Sequence, residues 1–224
     1  MMPSLSASTL RFLKDLKVNN NRDWFQYNKP RYEAARGEFE QFIDALIVRI
    51  AQFDPSIAHF KAKDCVFRIY RDVRFSKDKS PYKIAMGAHV SSAAKRSEIH
   101  SRAGYYIHLE PGASMLAGGA YLPESGWLKA IRQEIDYNRE EFKSILENKD
   151  FKKYFGEIDG EKLKTTPQGY PADHPEIEYL RMKSFLASTT CPDKLVTSAD
   201  FLDHAANAFK ALYPFDRFLN RSTE

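Results

Sequence analysis

Residues 68–83, RIYRDVRFSKDKSPYK, concentrate positive charge in a way that could bind an anion. Arginines recur at every third position, and lysines follow them. The stretch has a net charge of +4, which is also the net charge of the whole 224-residue chain, so basic and acidic residues balance elsewhere. Arginine pairs its donors with phosphate or carboxylate oxygens, whereas lysine acts as a point charge. The charged residues of the stretch are Arg68, Arg71, Asp72, Arg74, Lys77, Asp78, Lys79 and Lys83.

Residues 65–75 have the composition of a β-strand, in which alternate side chains point to opposite faces. Arg71 falls on the apolar face, where an isolated charge is costly. We therefore expect a carboxylate or a bound anion beside Arg71. The apolar face is Cys65, Phe67, Ile69, Arg71, Val73 and Phe75, and the opposite face is Val66, Arg68, Tyr70, Asp72 and Arg74.

This stretch has two interpretations. As an anion site, its arginines and Lys79 hold the ligand while Asp72 and Tyr82 orient them. As architecture, Asp72 and Asp78 pair with neighbouring arginines, in surface pairs worth only about 0–1 kcal/mol. Six cations that share two acids favour the anion site. Its predicted ligand-binding residues are Arg68, Arg71, Asp72, Arg74, Asp78, Lys79, Tyr82 and Lys83.

The two interpretations differ in the expected effect of truncating an arginine. Cations around an empty site repel one another, so Arg74→Ala should leave the stability unchanged if the site binds an anion. Loss of a partner from a buried ion pair destabilises a protein. Arg71→Ala should therefore be destabilising under either interpretation.

Helical patterns flank a central region of strands, which predicts an α+β fold. The antiparallel sheet is expected at about residues 65–121, packed by N-terminal and C-terminal helices. Its strands are the stretches CVFRIYRDVRF, YKIAMGAHV, AGYYIHLE and SMLAGGAY. We expect a single globular domain over residues 1–224, in which the polar segment 91–102 is a long mobile or functional loop.

The expected helices have apolar residues at steps of three and four. One begins at Pro30, which suits a helix start, and runs to about residue 53. Further helices are expected from residue 124 onward. After the segment TTPQGYPADHP, a separate helix is expected over EIEYLRMKSF, residues 176–185. The last covers residues 195–212, and the following YPF is expected to end it.

The order of motifs along the chain resembles the widespread bacterial family catalogued as domain of unknown function 2461. The shared pattern is Arg68-x-x-Arg71-Asp72-x-Arg74-Phe75-x-x-Asp78-Lys79-x-x-Tyr82, preceded by NNNRDWF and followed by GYYIHLEPG and PQGYPADHP. The resemblance covers most of the chain. It singles out the arginine motif without implying an activity for it.

Histidines offer further chemistry, with a plain alternative for each. His174 in ADHP could act as a general acid or base, but the same residues fit if Asp173 caps the helix after Pro175. His108 and Glu110 share one strand face, and with His89 they could bind a metal ion. The alternative for this group is a half-exposed polar face, which we favour.

Several familiar sites are missing from the sequence. It has no phosphate-binding loop, dinucleotide fingerprint, nucleophile elbow or H-E-x-x-H motif. Cys65 and Cys191 stand far apart without a C-x-x-C partner, so we expect reduced thiols and no tightly bound zinc. We also expect a cytoplasmic protein without a membrane span or secretion signal. No cofactor and no oligomeric state is indicated.

Three functions fit these features. The first is binding of a phosphorylated or carboxylated small molecule, with or without catalysis, in which His174 is the candidate catalytic residue. The second is nucleic-acid binding, in which the same cations hold phosphates and Tyr70, Phe75 or Tyr82 stacks on bases. The third is a structural arginine ladder that binds no ligand.

Overall fold

The N-terminal helices begin where side chains can cap them. The computed structural model describes residues 4–93 and 100–223. Ser6 accepts a hydrogen bond from the backbone N–H of Thr9, and Asn21 accepts one from Trp24, which satisfies donors that a helix start leaves over. The helices are α1 (Ala7–Val18), α2 (Arg22–Tyr27), α3 (Lys29–Ile50), α4 (Ala62–Cys65), α5 (Ser125–Tyr137), α6 (Arg139–Glu147), α7 (Lys149–Phe155), α8 (Ile177–Leu180), α9 (Asp193–Val196) and α10 (Phe201–Arg221).

Four strands form an antiparallel sheet in the order β1-β2-β3-β4, with helices at both ends of the chain. The first three lie within the region predicted to form strands. The α+β fold class is therefore confirmed. The strands are β1 (Met86–Val90), β2 (Gly104–Leu109), β3 (Met115–Ala120) and β4 (Phe185–Thr190).

Two predicted elements are wrong. Residues 65–75 are not a strand, because α4 ends at Cys65 and the rest makes only isolated bridge pairs. The helix expected over residues 176–185 is reduced to the single turn of α8, and β4 begins at Phe185. In β4 Phe185 and Ala187 are buried while Leu186 between them is not, so a strand-like period of two prevails there.

Helix α10 continues through Pro214 to Arg221, although YPF was expected to end it. A proline inside a helix costs about 3 kcal/mol. Beyond it Phe215, Phe218 and Leu219 are buried, and each such burial contributes about 1.5–3 kcal/mol, which offsets the proline. In the described part of the chain, neither α10 nor any other helix is long and apolar enough to cross a membrane.

The described residues fall into two compact units. The first takes its residues from Met1–Val90, Tyr106–Leu116 and Thr190–Ala206, and the second from Ser91–Tyr105, Ala117–Thr189 and Asn207–Glu224. The arginine motif belongs to the first unit. The expectation of a single domain over residues 1–224 stays a prediction.

Each unit has an aromatic core. In the first, Phe42 of α3 stacks on Phe201 with ring centroids 5.2 Å apart. In the second, Phe142 lies 5.3 Å from Phe218 and Phe151 lies 5.7 Å from Phe215. All six rings are buried, so aromatic packing supports both units.

Gly119 allows β3 and β4 to approach each other closely. Its φ of +108° lies in a region that side chains disfavour, and an added Cβ would collide with the Phe185 carbonyl. The collision is with backbone, which cannot rotate away. Only glycine fits this position without displacing β4.

We predict that Gly119→Ala lowers the free energy of unfolding by about 3 kcal/mol or more, through strain and displacement of β4. Chemical denaturation measures this. The matched control is Gly126→Ala at the start of α5, where an added Cβ has no neighbour within 4 Å and stability should hold or rise slightly. Equal midpoints for the two variants would contradict the prediction.

Candidate functional site

The arginine motif lies in residues 66–88, here called the basic hairpin, which fold back on themselves as an irregular antiparallel pair. Bridge pairs join Val66 to Ala88 and Tyr70 to Tyr82. Between the bridges, the returning half has two more residues than the outgoing half. This offset interrupts the hydrogen-bond ladder, as a bulge does, and explains why the region is not a regular strand.

Burial in the outgoing half alternates as the sequence predicted. Arg71 is half-buried, whereas Arg68 and Tyr70 on the other face are exposed. Phe75 was expected on the more buried face, but it is 97% exposed. Backbone pairing reaches only to the hydrogen bond from Arg71 N–H to the Pro81 carbonyl, at 2.9 Å, so nothing imposes the alternation beyond it.

Asn20 holds the basic hairpin to the junction of α1 and α2. Its side-chain amide donates to the Tyr82 carbonyl at 2.9 Å and accepts from the Tyr82 N–H at 3.1 Å. The Tyr82 ring stacks on Phe25 with centroids 3.9 Å apart and planes 13° apart. The motif NNNRDWF therefore serves to place Tyr82, in addition to capping α2 through Asn21.

Arg71 has the carboxylate partner that its position requires. Its guanidinium pairs with Asp78 and donates to the Ser80 carbonyl at 3.2 Å and to the Ser76 hydroxyl at 3.4 Å. Hydrogen bonds from Ser80 and from Arg71 lower the pKa of Asp78 to about 2. Arg71 thus closes the loop at the tip of the basic hairpin.

Arg74 and Lys79 bond to other groups of the same loop. Arg74 forms a two-pronged salt bridge with Asp72, with the shorter contact at 2.7 Å, and it lowers the pKa of Asp72 to about 2. Lys79 donates to the Val73 carbonyl at 2.9 Å. The Arg74 side chain is 76% exposed, so this pair lies in solvent.

Three pockets border the basic hairpin. One, of about 500 Å³, is lined by Arg22 of α2 together with Tyr70 and Arg71, and the other two share lining residues. The smaller of these two, of about 60 Å³, is lined by Arg68 and Lys83 together with residues of β1 and β2. The larger, of about 520 Å³, is lined by Lys17, Arg71, Asp78 and Lys83 among others. The pockets share Lys83, Ala85 and His108. These two pockets of the first unit, here together called the cleft, are lined by cations and also by the carboxylates of Asp78 and Glu110.

The half-exposed face of β2 carries a chain of hydrogen bonds into this cleft. The Tyr106 hydroxyl lies 3.0 Å from Nδ1 of His108, and Nε2 lies 3.1 Å from Glu110. Glu110 also pairs with Lys17 at 3.3 Å. Sequence reasoning placed His108 and Glu110 on one face but passed over Tyr106. Polar residues at steps of two in YYIHLE were the available signal.

The same group was considered as a metal site. In residues 4–93 and 100–223, no three histidine, cysteine or carboxylate side chains lie close enough together to hold a metal ion. His108 bonds to Tyr106 and Glu110 instead.

His174 belongs to the second unit and is held at both ring nitrogens. It accepts a hydrogen bond at Nδ1 from the Glu176 N–H at 3.0 Å, and Nε2 lies 2.9 Å from Asp136. The imidazole, rather than Asp173, thus covers a backbone donor at the start of α8. A catalytic role for His174 stays a prediction. Of the loop expected at 91–102, residues 94–99 lie outside the described residues.

We predict that Arg71→Ala lowers the free energy of unfolding by about 1 kcal/mol, because it removes the hydrogen bonds of a half-buried guanidinium to Asp78, the Ser80 carbonyl and the Ser76 hydroxyl. The matched variant Arg74→Ala removes a solvent-exposed pair and should leave the stability unchanged. Urea midpoints of the two proteins provide the test. Large and equal losses of stability in the two variants would indicate that the whole stretch has an architectural role.

The low pKa of Asp72 gives a second prediction. A depressed carboxyl pKa stabilises the folded state above the unfolded value of about 3.9, and that contribution disappears as the pH falls through the folded value of about 2. In Arg74→Ala the Asp72 pKa should rise toward its ordinary range, while that of Asp78 stays low. Carboxyl ¹³C titration measures both, and an unchanged Asp72 would refute the assigned cause.

The chain matches no curated protein and no solved structure. A family model described as "Conserved hypothetical protein (DUF2461)" matches residues 8–218. The match covers the NNNRDWF segment, the basic hairpin, β2 and the PQGYPADHP segment, so the resemblance noted in the sequence is confirmed. The chain therefore belongs to the DUF2461 family of conserved hypothetical proteins.

Proposed function

We propose that the protein binds a phosphorylated or carboxylated small molecule in the cleft along the basic hairpin. The observation that carries this proposal is the position of Arg68 and Lys83 at one small pocket. Within the described ranges, the Arg68 guanidinium makes no hydrogen bond and no salt bridge. Two neighbouring cations repel each other, and a bound anion would relieve the repulsion and accept their hydrogen bonds.

Three other cations of the motif have contacts that shape the loop. Arg74 pairs with Asp72, and Lys79 donates to a backbone carbonyl. Arg71 pairs with Asp78 but also lines the larger pocket. Because Arg68 and Lys83 line the smaller pocket, we assign anion binding to these two residues, with Arg71 at the edge.

The sizes of the two pockets suit a ligand with a small charged end. The smaller pocket, of about 60 Å³, is equivalent to about two water molecules at ~30 Å³ each, which is enough room for one anionic group. The larger pocket, of about 520 Å³, lies within the ~300–1,000 Å³ range of small-molecule sites. The uncharged remainder of the ligand would lie there.

Nucleic-acid binding is the second candidate, and one observation favours it. Phe75 is 97% exposed and Tyr70 is 53% exposed, and exposed rings beside cations can stack on bases. The rest of the chain is electrically balanced, so a long phosphate-binding track has no support in the sequence. We rank this candidate below a small anion.

The proposed location is the cytoplasm. Cys65 and Cys191 are buried thiols, and thiols stay reduced in that compartment.

We predict that inorganic phosphate binds the wild-type protein and that Arg68→Ala and Lys83→Ala each weaken binding at least tenfold, because each removes a charged donor. Titration calorimetry gives the affinities. Lys77→Ala is the matched control, since it removes an exposed cation of the same stretch away from the pocket residues and should leave the affinity unchanged. The fold of each variant is checked by its urea midpoint.

Acetate in place of phosphate distinguishes a carboxylate ligand from a phosphorylated one. Single-stranded DNA tests the second candidate. DNA affinity that falls steeply with salt and is lost in Phe75→Ala would favour nucleic acid. Equal phosphate affinities for wild type, Arg68→Ala and Lys83→Ala would overturn the proposed site.

A further inference from the structure

The hydrogen-bond chain on β2 adjoins the proposed anion site. Tyr106 and His108 line the same small pocket as Arg68 and Lys83, and His108 also lines the larger pocket. The chain runs from Tyr106 through His108 to Glu110. An imidazole between a phenol and a carboxylate can gain or lose a proton while its neighbours stay in place.

The chemistry of the two neighbours determines where the imidazole proton lies. An ionised carboxylate only accepts hydrogen bonds, so the nitrogen facing Glu110, Nε2, carries a proton. In the neutral ring Nδ1 is then an acceptor, and the Tyr106 O–H donates to it. The single phenolic proton of Tyr106 is therefore directed at His108 and away from a ligand.

A second proton on the ring reverses the bond to Tyr106. When Nδ1 is protonated it donates to the Tyr106 oxygen, and the hydroxyl hydrogen of Tyr106 rotates toward the pocket. Protonation thus adds one positive charge beside the site and one new hydrogen-bond donor within it. Both changes favour an anion with two negative charges.

We propose that Tyr106, His108 and Glu110 are part of the anion site, and that binding of a phosphate dianion is accompanied by uptake of one proton from solvent at Nδ1 of His108. In the bound state Tyr106 donates a hydrogen bond to the ligand, together with Arg68 and Lys83. The ligand class is a phosphate monoester. The inference rests on the proposed function, since it presumes that the anion occupies the pocket bordered by Arg68.

Charged groups of both signs surround the His108 imidazole. Cations oppose its protonation and carboxylates favour it, so a dianion bound at Arg68 adds a negative charge that favours the protonated ring. His89 shares its face of β1 with Gly87, two residues away, and is the second imidazole to be tested. The charged and titratable groups that line the two pockets with His108 are Lys17 from α1, Arg68, Arg71, Asp78, Tyr82 and Lys83 from the basic hairpin, Tyr106 from β2, and Glu110 directly after β2.

Gly87 leaves room for the Tyr106 hydroxyl to turn. A Cβ added at Gly87 would lie 3.1 Å from the Tyr106 oxygen and 3.4 Å from the Phe67 ring. The glycine therefore keeps open the side of the phenol that faces the pocket.

Sulfate is the probe that separates proton uptake by the protein from proton chemistry of the ligand, because sulfate stays a dianion near neutral pH. We expect its affinity for the wild-type protein to rise as the pH falls from 8 to 6, by up to about tenfold per pH unit, the limit for uptake of one proton. Calorimetry in buffers of different ionisation enthalpy should show uptake of about one proton per sulfate bound at the upper end of that range.

Three variants identify the groups involved. His108→Gln should bind sulfate with an affinity that no longer depends on pH in this range. Tyr106→Phe should weaken sulfate binding at both pH values, because the hydroxyl donates to the anion in the protonated state that forms on binding. His89→Gln is the matched control and should keep the wild-type pH dependence. Urea midpoints at each pH confirm that the variants are folded.

The possible outcomes distinguish this inference from the function on which it rests. Sulfate affinity that is equal at pH 6 and pH 8, but lost in Arg68→Ala, would overturn the proton uptake and leave the anion site standing. A pH dependence abolished by His89→Gln and kept by His108→Gln would also overturn it. Absence of sulfate binding at both pH values would overturn the inference and the proposed anion site together.

Discussion

A pair of hydrogen bonds between the Asn20 side chain and the backbone of Tyr82 determines where the basic hairpin lies. An amide side chain can present a donor and an acceptor side by side, so it pairs with a backbone N–H and C=O as a neighbouring strand would. The stack of Tyr82 on Phe25 buries the phenol against the same helical junction. Because the basic hairpin has no continuous ladder of its own, its cations depend on this external support for their position.

The charges of the motif divide into those that pair within the loop and those that line the smaller pocket. The Arg71–Asp78 pair closes the tip of the basic hairpin, and the Arg74–Asp72 pair lies beside it in solvent. Pairing these charges with one another reduces the repulsion that six cations would otherwise generate in sixteen residues. Arg68 and Lys83 line the smaller pocket. Under the proposed function, the two interpretations of the stretch, architecture and anion site, apply to different residues of it.

Local patterns predicted the fold class and the more buried position of Arg71, and the failures have physical causes. Arg71 lies on the more buried face, as the alternation predicted, although the region is not a regular strand. Side chains alternate between two faces wherever the backbone is extended, even without a complete ladder of hydrogen bonds. The prediction for Phe75 was wrong because the backbone pairing of the basic hairpin ends before that residue. Strand β4 was missed because Ile177 and Leu180, and then Met182 and Phe185, stand three residues apart, a spacing that favours a helix continuing into the strand. The link from Asn20 to Tyr82 spans 62 residues, and local reasoning cannot detect contacts at that separation.

The two-residue offset in the basic hairpin limits which insertions and deletions this segment can accept. Side-chain direction along extended backbone alternates with every residue, so an even offset leaves Tyr82 and Ala88 facing as they would in a regular pair. Deletion of one residue between them would invert one side of the hairpin and turn either the stacked phenol or the residues lining the pocket to the wrong face. Deletion of two residues would keep both orientations but remove the two extra residues of the half that contains Lys83. Insertions and deletions here should therefore be tolerated only in steps of two, and only at the expense of the cleft.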